Sequence, residues 1–411
     1  MCKAPCVPPE RSTTSDQGRL SVALDATPLL GRPTGVGVFC AGVLAGLAAH
    51  HDLDVSAFAI SWRRRQGIAD LVPSGVSTRQ RAMPARPLHL SWRHLEQPPV
   101  EWFIGRHDVV HGTNFVVPPA KRAGRVVTVH DLAVVRFPEL CDRSTLGFPA
   151  LVRRAVAHGA WVHTPSRFVA AEVVDVLGID PGRVRAVHHG VPALPGEPSS
   201  GSEGGPHVPP PFDLPAGITR YILAIGTIEP RKDYPSLVSA FTALSASHPD
   251  VALVVVGAEG WGAERFRAAV DSSPVRSRIV RPGYLDDRAL GTALRGAAVL
   301  AYPSVYEGFG FPPLQAMRCG VPVVATAVGA VPEVVGDGAL LVEGGDAEGL
   351  AGAIDQVLAG GASVDDLIER GRRRSEDFTW SACADGLTGL YRDVKAAATA
   401  DRRPLRRKGG S

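Results

Sequence analysis

Short runs of apolar residues recur along the chain, each followed by turn residues and then by a stretch of helix length. In the first half they lie at residues 20–24, 109–110 and 126–129, with an apolar helical stretch at 36–49. In the second half they lie at residues 221–225, 253–256, 278–280, 298–301 and 321–325. Continuous apolar strands that alternate with helices are typical of parallel sheets covered on both faces. The pattern predicts an α/β protein with two doubly wound parallel sheets, in which ligands bind beyond the carboxyl ends of the strands.

A segment rich in proline, glycine and serine separates the two halves. These three types make up 14 of the 20 residues at 192–211, which leaves too few apolar side chains for a packed element. We therefore predict two Rossmann-like domains at 19–191 and 212–380, joined by a linker at 192–211. The remaining predicted parts are a disordered N-terminus at 1–18, a closing helix at 381–398 and a basic, disordered tail at 399–411.

Composition and charge narrow the class of protein. Hydrophobic residues make up 45% of the chain and charged residues 21%, which excludes a largely disordered chain. The formal net charge is +3, of which residues 399–411 alone carry +4, so the body is not basic and we expect no nucleic-acid partner. The longest apolar run, at 251–258, is far shorter than the ~20 residues that span a bilayer. The six widely spaced cysteines fit reduced thiols in a cytoplasmic protein.

The most informative segment is 302–324, YPSVYEGFGFPPLQAMRCGVPVV. Glu307 lies in a predicted loop, before the glycines at 308 and 310, and a helix is predicted to begin near Pro312-Pro313 because proline suits a first turn. Glycines let a ligand approach the backbone, and a helix start offers free N–H groups to an anion such as phosphate. Gln315 lies in the first turn of that helix. Glu307 and Gln315 can therefore face one pocket and hold the hydroxyls of a hydroxyl-rich ligand.

This segment resembles the signature of the retaining glycosyltransferases of family 4, which have the GT-B fold of two Rossmann-like domains facing a central cleft. The family pattern is S-x-x-E-G-F-G-x-P-x-x-E-A-M followed by G-x-P-V. The matching residues are Ser304, Glu307, Gly308, Phe309, Gly310, Pro312, Ala316, Met317, Gly320, Pro322 and Val323. Gln315 replaces the second glutamate, which in the family grips the nucleotide ribose. The resemblance covers most of residues 20–395 and implies an N-terminal acceptor domain and a C-terminal nucleotide-sugar domain.

The resemblance also implies where the donor diphosphate binds. Arg231 and Lys232, in AIGTIEPRKD at 224–233, resemble the cations that neutralise the leaving nucleoside diphosphate. Gly308, Phe309 and Gly310 are expected beside the same phosphates. In many members an arginine stands where this chain has Thr227, and Arg231 is the candidate to replace it.

Two N-terminal positions complete the expected site. His130 follows the predicted strand at 126–129 and resembles the cleft histidine that contacts the transferred sugar, so it is assigned to catalysis with Glu307. His111 is a similar strand-end residue with weaker support. Gly37 ends the glycine-rich loop at 31–37, which lacks the full G-x-G-x-x-G dinucleotide pattern and fits an approach to the donor phosphates or the acceptor.

The family resemblance carried by these residues implies a retaining hexosyltransferase that uses a nucleotide sugar and a glycan or lipid-linked acceptor. The family resemblance favours GDP-mannose and a metal-independent reaction, with no metal site, no other cofactor, and the donor phosphate accepting the proton. Two alternatives remain open at this point: a non-catalytic nucleotide-sugar-binding protein, suggested by Gln315 and Thr227, and a nucleotide-sugar epimerase of the same fold.

A basic segment that contains tryptophans suggests where the protein reaches its acceptor. Residues 61–106 carry a net charge of +5 and three of the six tryptophans, Trp62, Trp92 and Trp102. Interleaved cations and indoles suit an anionic membrane surface, so we expect a cytoplasmic protein with peripheral contact to the inner face of the cell membrane. A solvated basic face with buried tryptophans is the alternative.

Overall fold

Two parallel sheets organise the molecule, whose computed structural model describes residues 18–31, 34–196 and 209–400. The first sheet contains β1 Leu20–Asp25, β2 Leu53–Phe58, β3 Ser77–Arg79, β4 Val109–Gly112, β5 Gly124–Thr128, β6 Trp161–Thr164 and β7 Val184–Ala186. The second contains β8 Arg220–Ile225, β9 Val251–Val256, β10 Ile279–Gly283, β11 Val299–Tyr302, β12 Val323–Thr326 and β13 Leu340–Val342. Their orders are β3-β2-β1-β4-β5-β6-β7 and β10-β9-β8-β11-β12-β13. All strand pairs in both sheets are parallel, which confirms the predicted fold class.

Helices cover both faces of each sheet, as the continuous apolar strands require. Those of the first domain are α1 Gly35–Ala48, α2 Ala85–Leu95, α3 Glu101–Ile104, α4 Ala133–Arg136, α5 Phe148–Ala157 and α6 Arg167–Leu177. Those after them are α7 Tyr234–Leu244, α8 Ala263–Ser272, α9 Asp287–Arg295, α10 Phe311–Arg318, α11 Val331–Val335, α12 Ala347–Ala359, α13 Ala362–Glu376 and α14 Trp380–Ala400. Each sheet lies between two clusters of buried apolar side chains. Among the described residues, no helix has the length and apolarity that crossing a membrane requires.

The order of the strands reverses once in each sheet, between β1 and β4 and between β8 and β11. The crevice at such a reversal, beyond the carboxyl ends of the strands, is where open α/β sheets bind ligands. Asp25 ends β1 and Thr113 follows β4, whereas Gly226 and Glu307 come after β8 and β11. The predicted donor residues of the second domain therefore lie at the reversal in the second sheet.

The last helix of the described residues, α14, returns to the first domain. Leu387, Tyr391 and Val394 of α14 belong to the same buried cluster as Phe39 of α1. A Cβ atom on Gly42 of α1 would lie 2.1 Å from the Trp380 ring, so the two helices pack closely because this position has no side chain. The closing helix was predicted at 381–398 and is observed at Trp380–Ala400.

Some predicted segments lie outside the described residues. They are residues 1–17 of the predicted disordered N-terminus, 197–208 of the linker, and 401–411 of the basic tail.

Candidate functional site

A buried carboxylate with two cations forms the centre of the site. Glu307 is 6% exposed. Its Oε1 accepts hydrogen bonds from Lys232 Nζ at 2.6 Å and Ser304 Oγ at 2.7 Å, and its Oε2 accepts one from Arg231 Nη1 at 2.7 Å. Arg231 Nη2 also donates to Glu229 Oε1 at 2.8 Å. The structure thus brings together three of the predicted residues, Glu307, Arg231 and Lys232, in direct contact.

The cations determine the protonation of this carboxylate. Burial alone would raise the pKa of Glu307, but the attraction of Arg231 and Lys232, with hydrogen bonds from Lys232 and Ser304, outweighs it and lowers the pKa to about 2. Burial acts against the charge of Arg231, yet Glu307, Asp131 and Glu229 hold its pKa above the usual value. Glu307 is therefore ionised at neutral pH.

Two loops at neighbouring strand ends position these side chains. After β8, residues Pro230–Lys232 form a single 3₁₀ turn, and Asp233 then adopts a left-handed conformation with φ of 46° before α7 begins. The loop after β11 is joined to this turn by a hydrogen bond from Val305 N to Arg231 O at 2.9 Å. The position of Glu307 is fixed from the other side, where Ala330 N donates to its carbonyl oxygen at 2.8 Å.

The glycines after Glu307 permit close contact between the domains. A Cβ atom on Gly308 would lie 1.9 Å from His130 O, so only glycine fits there. Gly310 has φ of 101° and precedes α10, whose first turn contains Pro312 and Pro313 as predicted. The Phe309 side chain is buried in the core of the second domain, so only its backbone is available to a diphosphate.

Gln315 lies in α10 and is almost fully buried. The structure shows no hydrogen bond between its side-chain amide and another described residue, and the amide is not among the fully buried unpaired groups, so part of it remains accessible. The amide is neutral and can both donate and accept. A hydroxyl-bearing ligand at this position would satisfy it.

His130 and Gly37 lie on the first-domain side of the contact. His130 Nε2 is 2.8 Å from Thr113 O, and burial lowers the pKa of this imidazole. The ring packs edge-on to Phe39 with centroids 5.1 Å apart. The N–H of Gly37 donates to Thr34 Oγ1 at 3.3 Å, so the start of α1 is capped by its own chain. Gly35, two residues earlier, faces Phe311 of the second domain.

His111 has a structural role in the core of the first domain. It is fully buried, and its two ring nitrogens lie 2.7 Å from Tyr391 OH and 2.7 Å from Thr128 Oγ1. It ties β4 to α14 and β5, and it has no ring nitrogen left for a ligand.

Sequence reasoning missed the contacts that join the domains. Tyr306 OH donates to Glu172 of α6 and accepts from Leu132 N at 2.9 Å. Glu333 of α11 accepts from the backbone N–H groups of Arg167 and Phe168, both at 2.9 Å, and from His188 Nε2 at 2.7 Å.

Two further residues at the junction, Ser166 and His189, were also missed. Ser166 Oγ donates to Gly308 O at 2.9 Å, and His189 is buried between the domains. No local sequence signal identifies these partners, because each contact depends on how the domains pack.

Comparison with protein families gives two matches. The model described as "Glycosyltransferase Family 4" matches residues 33–193, and "Glycosyl transferases group 1" matches residues 215–374. O-antigen chain mannosyltransferase B of Escherichia coli is 28% identical over 292 residues, which cover 69% of this chain and 74% of that protein. D-inositol 3-phosphate glycosyltransferase of Acidothermus cellulolyticus is 30% identical over 316 residues, covering 71% of this chain and 68% of that protein.

Solved structures share the fold. Sucrose-phosphate synthase from Thermosynechococcus elongatus superposes with a TM-score of 0.68 and 22% identity, over 92% of this chain and all of that one. Anabaena Alr3699/HepE, in complex with UDP and glucose, superposes with a TM-score of 0.64 and 15% identity, over 91% of this chain and all of that one. At these identities the likeness establishes the GT-B fold alone.

Proposed function

Because the chain belongs to the glycosyltransferases of family 4, we propose that it transfers a hexose, with retention of configuration, from a nucleoside-diphosphate sugar to a glycan or lipid-linked acceptor. The observation that carries this proposal is the contact of Glu307 with Arg231 and Lys232 at the carboxyl ends of β8 and β11. A nucleotide sugar needs two recognition elements, and this contact contains both. The cations can bind the diphosphate, and the carboxylate can form hydrogen bonds with the sugar hydroxyls.

The proposed chemistry follows from where charge develops during transfer. Negative charge accumulates on the departing diphosphate, where Arg231, Lys232 and the N-terminal end of α10 stabilise it electrostatically. Glu307 keeps the two cations in place and orients the sugar, and Gln315 holds the ribose. His130 contacts the transferred sugar from the first domain. The donor phosphate accepts the proton of the incoming hydroxyl, so no protein base is assigned.

The reaction is proposed to need no metal ion. We expect turnover to be unchanged after dialysis against EDTA. Activity that disappears with EDTA and returns with Mg²⁺ or Mn²⁺ would contradict this part of the proposal.

GDP-mannose is the donor we propose. The similarity to a mannosyltransferase supports it, whereas the UDP complexes of the Anabaena neighbour make UDP-glucose the competitor. Ligands that bind the folded state raise the melting temperature by mass action. A thermal-shift series with GDP, UDP and ADP should therefore give the largest increase with GDP, and a larger increase with UDP would replace this donor assignment.

A product assay separates transfer from the two alternative activities. The protein is incubated with the selected nucleotide sugar, with and without octyl α-mannoside or D-inositol 3-phosphate as trial acceptors. Nucleoside diphosphate released only with an acceptor supports transfer. An altered sugar without release would indicate epimerisation, and binding with neither outcome would indicate a non-catalytic protein.

The diphosphate role of the cations has its own test. Arg231→Ala and Lys232→Ala should weaken binding of the nucleoside diphosphate by about tenfold or more, because a charge-assisted hydrogen bond is lost, and should leave the affinity for the nucleoside unchanged. Arg267→Ala, which removes an exposed ion pair with Glu264 in α8, is the matched control. Equal weakening of both ligands would assign Arg231 and Lys232 to a structural turn.

Peripheral membrane contact is proposed for the outer face of the first domain. Trp62 and Trp102 are 60% and 64% exposed, whereas Trp92 is buried. On α2, Leu90 and Leu95 are exposed beside the exposed Arg86 and Arg93. Exposed apolar and cationic side chains on one helix favour an anionic interface.

A sedimentation assay tests this contact. The protein should bind vesicles of phosphatidylglycerol and phosphatidylcholine at low salt and leave them at high salt. The combined change of Arg86 and Arg93 to Ala should weaken this binding, whereas Arg267→Ala should not. Binding that does not depend on salt or on these arginines would favour an acceptor presented away from the membrane.

A further inference from the structure

His189 lies at the junction of the two domains, in the segment that leaves the first sheet after β7. Its ring centroid is 4.2 Å from that of Phe39, 5.1 Å from that of Phe309 and 5.8 Å from that of Phe311. The residue is 2% exposed, and neither ring nitrogen has a hydrogen-bond partner among the described residues. Buried polar groups in native proteins are nearly always paired, so this imidazole needs an explanation.

A neighbouring buried histidine, His163, does not share the unpaired nitrogens of His189. His163 is equally buried and packs 5.8 Å from His189. Its Nδ1 lies 2.9 Å from Thr128 Oγ1, and its Nε2 lies 3.1 Å from Val187 O. His189 differs because its ring is placed between the starts of α1 and α10, at the carboxyl-end face of both sheets, where the substrates of this fold bind.

We propose that His189 is a substrate-binding residue whose imidazole hydrogen-bonds a hydroxyl group of a sugar held between the two domains. Burial, with His130 and His163 nearby, lowers the pKa of His189 well below its usual value. The neutral ring has one donor and one acceptor nitrogen, which matches a hydroxyl, whereas a phosphate would accept only. The Phe311 ring, which is only partly buried and stacks on the imidazole, offers an apolar surface to the C–H face of a pyranose.

The sugar reaches His189 when the domains move apart. In the structure, Ser166 Oγ donates to Gly308 O at 2.9 Å, Leu132 N donates to Tyr306 OH at 2.9 Å, and His130 O packs against Gly308. These contacts close the junction over the imidazole. Separation of the domains exposes the His189 imidazole. When the domains close again around a sugar, the imidazole forms its hydrogen bond with the sugar hydroxyl, as in other enzymes that close over a substrate.

The test uses His189→Phe, which retains an aromatic ring and removes both nitrogens. Without a buried unpaired group, the melting temperature of the ligand-free variant should equal or exceed that of the parent. The dissociation constants of GDP-mannose, UDP-glucose, GDP and UDP are measured by calorimetry. Michaelis constants for octyl α-mannoside and D-inositol 3-phosphate are measured with the better donor.

The hydroxyl that His189 binds can belong to the donor sugar or to the acceptor sugar, and the two cases give different results for His189→Phe. In either case we expect the affected constant to change by on the order of tenfold to a hundredfold. A donor sugar predicts weaker binding of the nucleotide sugar with unchanged binding of the nucleoside diphosphate. If the hydroxyl belongs to the acceptor sugar, the nucleotide sugar and the nucleoside diphosphate should bind as in the parent, and the Michaelis constant for the acceptor should be higher. His189→Asn keeps a donor and an acceptor and should recover part of the loss in either case.

His163→Phe is the matched control, because it removes two nitrogens that are paired. It should lower the melting temperature without selective loss of either sugar. For His189→Phe, a lowered melting temperature, or donor and acceptor constants all within twofold of the parent, would overturn the inference.

The inference rests on the sugar transfer proposed above, and the parent protein distinguishes the two failures. A parent that binds no nucleotide sugar would overturn the proposed function and this inference with it. Normal binding by parent and variant alike would overturn this inference only.

Discussion

Glu307 affects both stability and chemistry at the scale of single residues, because it is the shared counter-charge of the buried Lys232 and the partly buried Arg231. Glu307→Gln keeps the size of the side chain and removes the charge. Breaking a buried ion pair on one side typically destabilises a protein by about 3–5 kcal/mol, so we expect a loss of that order in urea unfolding. We also expect a fall in kcat/KM on the order of a hundredfold.

Ser304→Ala is the control for this change. It removes one hydrogen bond to Glu307 Oε1 and leaves the charge, so the expected loss of unfolding free energy is about 1 kcal/mol. Equal losses in the two variants would mean that the cations do not depend on the carboxylate.

At Asp25 burial outweighs the hydrogen bonds, so the pKa of this carboxyl is raised, whereas that of Glu307 is lowered. Asp25 ends β1, and although Thr27 donates two hydrogen bonds to it, burial raises the pKa of Asp25 to about 6. The folded protein therefore binds more protons than the unfolded chain between about pH 4 and pH 6, so this group's contribution to stability falls as pH rises through that window.

Asp25→Asn should remove this pH dependence. Relative to the parent, the variant should gain on the order of 2–3 kcal/mol of unfolding free energy between pH 3.5 and pH 7.5. Urea unfolding of both proteins at the two pH values measures the gain. A difference that is independent of pH would contradict the raised pKa.

The residue scale also shows what the sequence could reveal of the site. Glu307, Arg231 and Lys232 stand in recognisable motifs, and the family resemblance implied that all three belong to the donor site. His189 and Glu333 could not be found in this way. Their environments are made by Phe309, by the backbone of α6 and by His188, all of which depend on the packing of one domain against the other.

At the scale of secondary-structure elements, α6 of the first domain is capped partly by the second. Ser166 Oγ accepts from Val169 N within the helix, and Glu333 accepts the N–H groups of Arg167 and Phe168 from across the junction. A carboxylate at a helix N-terminus is favoured by both the free N–H groups and the helix dipole. Glu333 therefore favours the closed arrangement of the domains.

Glu333→Gln should loosen the junction, because the amide has no charge to interact with α6 and His188. We expect the radius of gyration from small-angle scattering to increase, and proteolysis within residues 187–196 to become faster. Asp346→Asn weakens the cap of α12, where Asp346 accepts from Gly349 N at 2.8 Å, but that helix lies within one domain. Its effect should be limited to stability, and an equal change of domain separation in both variants would contradict the assignment.

Element prediction succeeded where a strand is a buried, continuous apolar run. The runs at 20–24, 221–225 and 253–256 are observed as Leu20–Asp25, Arg220–Ile225 and Val251–Val256. The interior strand Trp161–Thr164 was not predicted, because polar residues interrupt its apolar run. The strands Ser77–Arg79, Val184–Ala186 and Leu340–Val342 were not predicted either. Each has three residues at the edge of a sheet, so pairing with a neighbour, and not an apolar pattern, defines it.

At the scale of the whole molecule, the chain passes between the domains twice. It leaves the first sheet after β7, and it returns through Trp380 into α14, which packs along α1 and the first sheet. The first domain's core is therefore completed by α14, which follows the second domain in the sequence. Correct assembly of that core depends on how closely α1 and α14 approach.

Gly42 and Gly352 form a matched pair that tests this dependence. Both are interior glycines of helices, in α1 and α12. A Cβ on Gly42 would lie 2.1 Å from the Trp380 ring, whereas a Cβ on Gly352 would meet nothing within 4 Å. Gly352→Ala should therefore stabilise the protein by about 0.5–1 kcal/mol, because alanine has the higher helix propensity.

Gly42→Ala should instead destabilise the protein by about 1–3 kcal/mol, because the new methyl group forces α14 away from α1 and this overpacking exceeds the gain in propensity. Displacement of α14 should also expose it to protease, so cleavage within residues 380–400 should be faster in Gly42→Ala than in the parent. Thermal unfolding and limited proteolysis of both variants measure these effects. Stabilisation of Gly42→Ala equal to that of Gly352→Ala, with α14 still protected, would show that the first domain does not depend on close packing of its last helix.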